Sequence, residues 1–85
     1  EQGNHILHVI AKKGTKDNLD EVLKLKPSVS RLINLPNAEG NTPLHTAAEA
    51  YNRDVIIALT DNGALVAKPN LQGDTALHLA AEHTN

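Results

Sequence analysis

The stretch GNTPLHTAAE, Gly40 to Glu49, returns thirty-three residues later as GDTALHLAAE, Gly73 to Glu82. Extending the alignment to LPNAEGNTPLHTAAE on KPNLQGDTALHLAAE gives nine identities in fifteen positions. Chance similarity does not hold Pro, Asn, Gly, Thr, Leu, His and an Ala pair in one register. A looser copy, QGNHILHVIAKKG from Gln2 to Gly14, matches Gly3, Leu7, His8 and Ala11 to Gly40, Leu44, His45 and Ala48 at an offset of 37. Repetition at such a period means that one small unit is stacked on copies of itself, each burying an apolar face against the next. A chain of 85 residues needs that burial, because a single closed core of this size leaves a thin stability margin.

Each copy reads as turn, helix, helix. Pro-Asn-x-x-Gly is turn chemistry: Pro fixes one φ, Asn hydrogen-bonds its own backbone and Gly reaches φ > 0. Thr42 followed by Pro43 is an N-cap with Pro at the first helical position, where its missing N–H costs nothing. Leu44, Ala47, Ala48 and Tyr51 fall at i, i+3, i+4 and i+7 and predict one apolar face on a short inner helix, whose small Ala pair admits a close neighbour. Val55, Ile56 and Leu59 predict a second, outer helix behind Asp54, stopped by Gly63 in a left-handed cap. In the first copy the outer helix is expected from Asp17 to Leu25, with Leu19, Val22 and Leu23 inward and Lys26-Pro27 as the stop. The four extra residues in KLKPSVSRLINLP are expected to remain at the surface, because lengthening a loop costs little closure entropy. The expected units are 1–36, 37–69 and 70–85, the last without an outer helix. Leu77, Leu79 and the Ala pair beside them should therefore lack part of their cover. With no Met, a start inside a turn and an end inside a repeat, the chain is expected to be a piece of a longer protein.

Composition removes several function classes. The apolar content is Leu, Ile, Val and Ala, with Tyr51 the one aromatic, which suits close-packed helices and not a roomy aromatic cofactor site. The absence of Cys rules out disulfides and thiolate metal sites and is consistent with a reducing, cytoplasmic location. No apolar run is long enough to span a bilayer, and none reads as a signal peptide. The net charge of −2 is uneven, with +2 over residues 1–36 and −4 over residues 37–85. Neither part carries the clustered cations and stacking aromatics that nucleic acid would require.

At these residues the chain resembles the ankyrin-repeat family: GNTPLHTAAE, GDTALHLAAE, the 33-residue period and NGA after the outer helix all fit its pattern. Departures are His5-Ile6 in place of Thr-Pro in the first copy, and Tyr51 and Thr84 where the family usually has Gly. The resemblance implies an all-α solenoid of stacked helix-turn-helix units with β-turn loops. It also implies that His45 and His78 hydrogen-bond backbone around neighbouring loops, which would make Thr42, Pro43, His45, Gly63, Thr75 and His78 structural. A competing reading pairs His45 with Glu49, and His78 with Glu82, for metal or acid/base chemistry. Two groups per helix, duplicated in register, match neither a four-ligand structural zinc site nor a three-ligand catalytic one. His5 with His8 lacks a fixed third ligand. No nucleophile beside a base and no phosphate loop is present, and Gly3, Gly40, Gly63 and Gly73 are turn and cap glycines. No catalytic residue, metal or cofactor is expected, and the chain is not expected to be an enzyme.

Binding is expected where the resemblance places it, on loop tips and the open side of the inner helices. By position these are Ala38, Glu39, Asn41, Glu49 and Ala50 in the middle copy. The last copy offers Leu71, Gln72, Asp74, Glu82 and His83, and the first Gln2, Asn4, Lys12 and Lys13. Glu39, Glu49, Asp74 and Glu82 would put four carboxylates on one face, suited to a protein segment bearing Lys or Arg. Leu71 at a loop tip is either an anchor or one more exposed leucine, and Tyr51 either a hot spot or a plug over the helix end. Lys12, Lys13 and Lys16 are either a basic patch or a solvated helix end. The expected function is protein–protein interaction. The alternative is a structural or capping segment of a longer array, with flanking repeats, or self-association at the uncovered end, as its contacts.

Overall fold

The computed structural model describes residues 3–83, the side chain of His83 excepted. Five α-helices run in the order α1 (Ile6–Lys13), α2 (Lys16–Leu25), α3 (Pro43–Glu49), α4 (Arg53–Asp61) and α5 (Ala76–His83), with a 3₁₀ segment at Pro27–Leu32. No strand occurs among the described residues. Helix α3 packs between α1 and α5 to make an inner row, and α2 lies against α4 in an outer row. The architecture is an all-α solenoid.

Local chemistry starts and stops each element. Thr42 caps α3, its hydroxyl facing the His45 N–H while the His45 Nδ1 accepts the Thr42 N–H at 3.1 Å. Thr15 and Asn18 exchange the same pair of bonds at the start of α2. In the first unit His5 takes the capping position itself, its Nδ1 accepting the Leu7 N–H at 3.2 Å. Helix α4 ends in a Schellman motif, with Gly63 at φ 96° and Ala64 N donating to Leu59 O at 2.9 Å.

The core follows the repeat. Leu7 and Ala11 of α1, Leu44, Ala47 and Ala48 of α3, Leu19 of α2 and Val55 and Leu59 of α4 are all buried. Ala at positions 11, 47 and 48 removes the bulk that would hold the inner helices apart, so a seven-residue helix like α3 is stabilised by packing on both sides and not by its own length.

Two expectations require correction. The spacer after α2 is mostly exposed but not wholly at the surface: it coils into the 3₁₀ segment, and Val29 and Ile33 enter the core. Its apolar residues are spaced to fold back under α2, which a loop-entropy argument does not register. Tyr51 is not the i+7 member of an apolar face, because α3 ends at Glu49. Instead Tyr51 occupies the left-handed position of a second Schellman motif at φ 54°, 51% exposed, with Tyr51 N bonded to Ala48 O and Asn52 N to Ala47 O. It does not join the core.

At the last unit Ala76 and Leu79 are covered, but Leu77 is 76% exposed whereas its equivalent Leu44 is 2% exposed. Leu77 borders an apolar groove of about 400 Å³ that runs past Leu44, Ile56, Val66 and Ala80. Thr84, a departure from the family pattern, lies outside the described residues.

Candidate groove across the inner helices

Two adjoining grooves of about 450 Å³ each cross the inner row. The first lies between the first and second units and is bordered by Val9, Lys12 and Lys13 on one side and by Glu39, Thr46 and Glu49 on the other. The second lies between the second and third units, bordered by Ala38, Glu39 and Glu49 and then by Leu71, Gln72 and Leu79. Glu39, Asn41 and Glu49 line both and are the wall they share.

Loop geometry positions that wall. Asn37 Oδ1 accepts the N–H groups of Glu39 and Asn41, and Asn70 Oδ1 accepts those of Gln72 and Asp74, so each tip is folded around its own Asn. Successive tips are tied together: Leu71 N donates to Glu39 O at 3.1 Å. Gly40 permits this approach. A Cβ there would stand 2.6 Å from Leu71 N, and its φ is 80°.

The histidines bind the same junctions. The His45 Nδ1 is an acceptor, so its Nε2 carries the proton and donates to Asp74 O at 2.8 Å. One unit earlier, His8 accepts the His5 N–H on Nδ1 and donates from Nε2 to Asn41 O at 2.7 Å. His78 makes the local bond with Thr75, at 3.2 Å from the Thr75 N–H. Burial pulls the His8 imidazole below the ordinary histidine value, against the opposing pull of the Asn41 carbonyl and with the help of nearby His5. His5 and His8 stack edge to face at 4.2 Å, and both nitrogens of each ring are committed to hydrogen bonds. Neither ring has a nitrogen to spare for a metal, and no cluster of His, Asp and Glu able to hold one occurs among the described residues.

Of the residues expected to meet a partner, Ala38, Glu39, Glu49, Leu71 and Gln72 border the grooves and are exposed. Asn41 lines both grooves too, but from a more buried position. It is 7% exposed, and its Oδ1 accepts from Asn70 Nδ2 at 2.9 Å, so its side chain joins two loops instead of facing solvent. The same bond recurs one unit earlier, from Asn37 Nδ2 to Asn4 Oδ1 at 2.9 Å. Of the four carboxylates expected on one face, Glu39 and Glu49 border the grooves, and Asp74 and Glu82 do not. The three lysines also separate. Lys16 pairs with Asp20 at 3.0 Å on α2, which raises its pKa through that hydrogen bond, whereas Lys12 and Lys13 face the groove. Gln2 lies outside the described residues, as does the His83 side chain.

Polar links that sequence reading passed over hold the units together. Asn52 Nδ2 donates to Gly14 O at 2.8 Å and Ala11 O at 3.2 Å, closing orphan carbonyls at the end of α1 from the next unit. Asn34 reaches the loop after α4, donating to Gly63 O and accepting from Leu65 N. The recurrence of Asn37 and Asn70 in the repeat was the available signal for the loop links. Asn34 and Asn52 carry none.

No helix among the described residues is long and apolar enough to cross a membrane. A comparison with curated proteins finds no match. The family model for ankyrin repeats, in three copies, matches residues 7–85. With that match laid over an inner row, an outer row and histidine-tied loops, the chain belongs to the ankyrin-repeat family.

Proposed function

We propose that this chain is a protein-interaction module that seats a partner segment bearing Lys or Arg against Glu39 and Glu49. Members of the family are generally protein-binding and typically non-enzymatic. The observation that carries the reading is the position of the two carboxylates. Both are exposed, both line the two grooves, and the single ion pair among the described residues, Lys16 with Asp20, involves neither. A cation entering the groove meets carboxylates not already neutralised, and rim charges of this kind act mainly on association rate and salt dependence. Leu71, 77% exposed beside Gln72, supplies apolar contact next to that wall. The lack of Cys suits such a module to a reducing cytoplasm.

Selection of binders from a random peptide library displayed on phage tests the proposal. The expected result is enrichment of Lys and Arg in the bound peptides, with binding lost in Glu39→Lys/Glu49→Lys and weakened by salt. Selected peptides that bind this variant equally well would overturn it. The alternative role, a structural segment with little binding of its own, predicts that Glu39→Ala and Leu71→Ala change no binding at all.

A further inference from the structure

The grooves have an order as well as a charge. Along the inner row the borders run from Lys12 and Lys13, to Glu39 and Glu49, to Leu71 and Leu79. Read across the three units, this is cationic, then anionic, then apolar. Lys12 and Lys13 stand in the last turn of α1, where the helix dipole favours a cation, and no ion pair with Glu39 or Glu49 is formed. The two charged banks therefore line one shared groove without a direct ion pair between them.

Spacing converts the order into a ligand. Packed helices lie about 8–10 Å apart. A polyproline II chain has three residues per turn and rises about 3.1 Å per residue, so every third side chain points the same way at intervals of about 9 Å. Each successive unit of the stack would meet the next same-facing side chain. A β-strand presents alternate residues on opposite faces and fails to keep this register.

We infer that the partner segment is an extended, polyproline II-like peptide with an acidic residue, a basic residue three positions on and an apolar residue three further on. The acidic group lies against Lys12 and Lys13, the basic group between Glu39 and Glu49, and the apolar group against the exposed Leu71. This rests on the groove reading proposed above and specifies its ligand. The order, not net charge, sets recognition, because a peptide with the two charges exchanged has the same composition yet cannot satisfy both charged banks and Leu71 at once.

The test uses the 85-residue chain and two synthetic peptides, DPPRPPL and its charge-exchanged partner RPPDPPL, titrated at low salt and followed by backbone amide shifts. Bound in the reverse direction, the exchanged peptide returns its Asp to Lys12 and Lys13 and its Arg to Glu39 and Glu49 only by carrying its Leu off the far end, away from Leu71. The expected result is that DPPRPPL binds about ten-fold tighter, because the exchanged peptide either meets like charge in both places or gives up the Leu contact, and perturbs the amides of Lys12, Lys13, Glu39, Glu49 and Leu71. The variant Lys12→Glu/Lys13→Glu/Glu39→Lys/Glu49→Lys should reverse the preference; all four positions are exposed. Equal affinity of the two peptides at this face overturns the charge order and leaves the basic-segment reading standing. If neither peptide, nor an oligo-arginine control, shifts these amides, both the order and that reading fall.

Discussion

Asn70 donates from Nδ2 to Asn41 Oδ1 at 2.9 Å, joining two loop tips whose chain positions are 29 residues apart. Both side chains are buried, and Asn70 Oδ1 is occupied by the N–H groups of its own turn, so one amide holds its loop and the neighbouring loop together. Replacing Asn41 with Ala leaves the Asn70 Nδ2 without that acceptor. A loss of about 1–3 kcal/mol is expected from an orphaned buried donor. In a domain of this size each kcal/mol corresponds to a fall in Tm of about 4–8 °C. Thermal unfolding followed by circular dichroism measures it, and an unchanged Tm for Asn41→Ala would show that the bond adds nothing.

Gly40 and Gly73 share a left-handed backbone but not a neighbourhood. Each has φ near 80°, yet a Cβ on Gly40 would meet the Leu71 backbone at 2.6 Å, whereas one on Gly73 meets nothing within 4 Å. Gly73→Ala is expected to cost about 1–2 kcal/mol from conformation alone. Gly40→Ala adds displacement of the loop that carries Leu71, and its cost should exceed that of Gly73→Ala in urea unfolding at equal chain concentration.

The His8 imidazole, pulled below the ordinary value of 6.5 by burial, is held neutral while it donates to Asn41 O. Because its folded value is depressed, the unfolded chain binds the proton first as pH falls. Stability from this group is thus complete above 6.5 and is lost progressively below it, toward the lowered folded value. The other groups packed near the ring are His5 on one side and the Asn41 carbonyl on the other. Tm measured from pH 7.5 to pH 5 should fall, and His8→Gln should flatten that part of the profile.

Leu44 and Leu77 occupy the same register in successive units, at 2% and 76% exposure. Truncating Leu44 to Ala opens a cavity against α1 and α5 and is expected to cost about 2–5 kcal/mol. Leu77→Ala should stay within about 0.5 kcal/mol, as surface changes do. Chemical denaturation of the two variants compares them directly, and equal losses would contradict the packing described.

How much was legible in the chain divides along the range of the interaction. The turn at each Pro-Asn-x-x-Gly, the caps at Thr42 and Thr75 and the stop at Gly63 are written in residues no more than four apart, and the period is their recurrence along the chain, so they can be read without a fold. The groove was partly legible: Glu39, Glu49, Leu71, Lys12 and Lys13 could all be placed by repeat position, but nothing local showed that the lysines and the two glutamates line one groove.

By itself the sequence determined the repeating unit, because caps, turn residues and a helical apolar period act locally and add up the same way in each copy. Only the tertiary structure decided that Asn41 turns inward to Asn70, that Asn52 closes the end of α1 forty-one residues back, and that Val29 and Ile33 enter the core. It also decided that Lys12 and Lys13 face Glu39 and Glu49 across one groove. Each of these depends on a partner brought near by stacking, and a short polar or apolar side chain carries no local mark of which distant group it will meet.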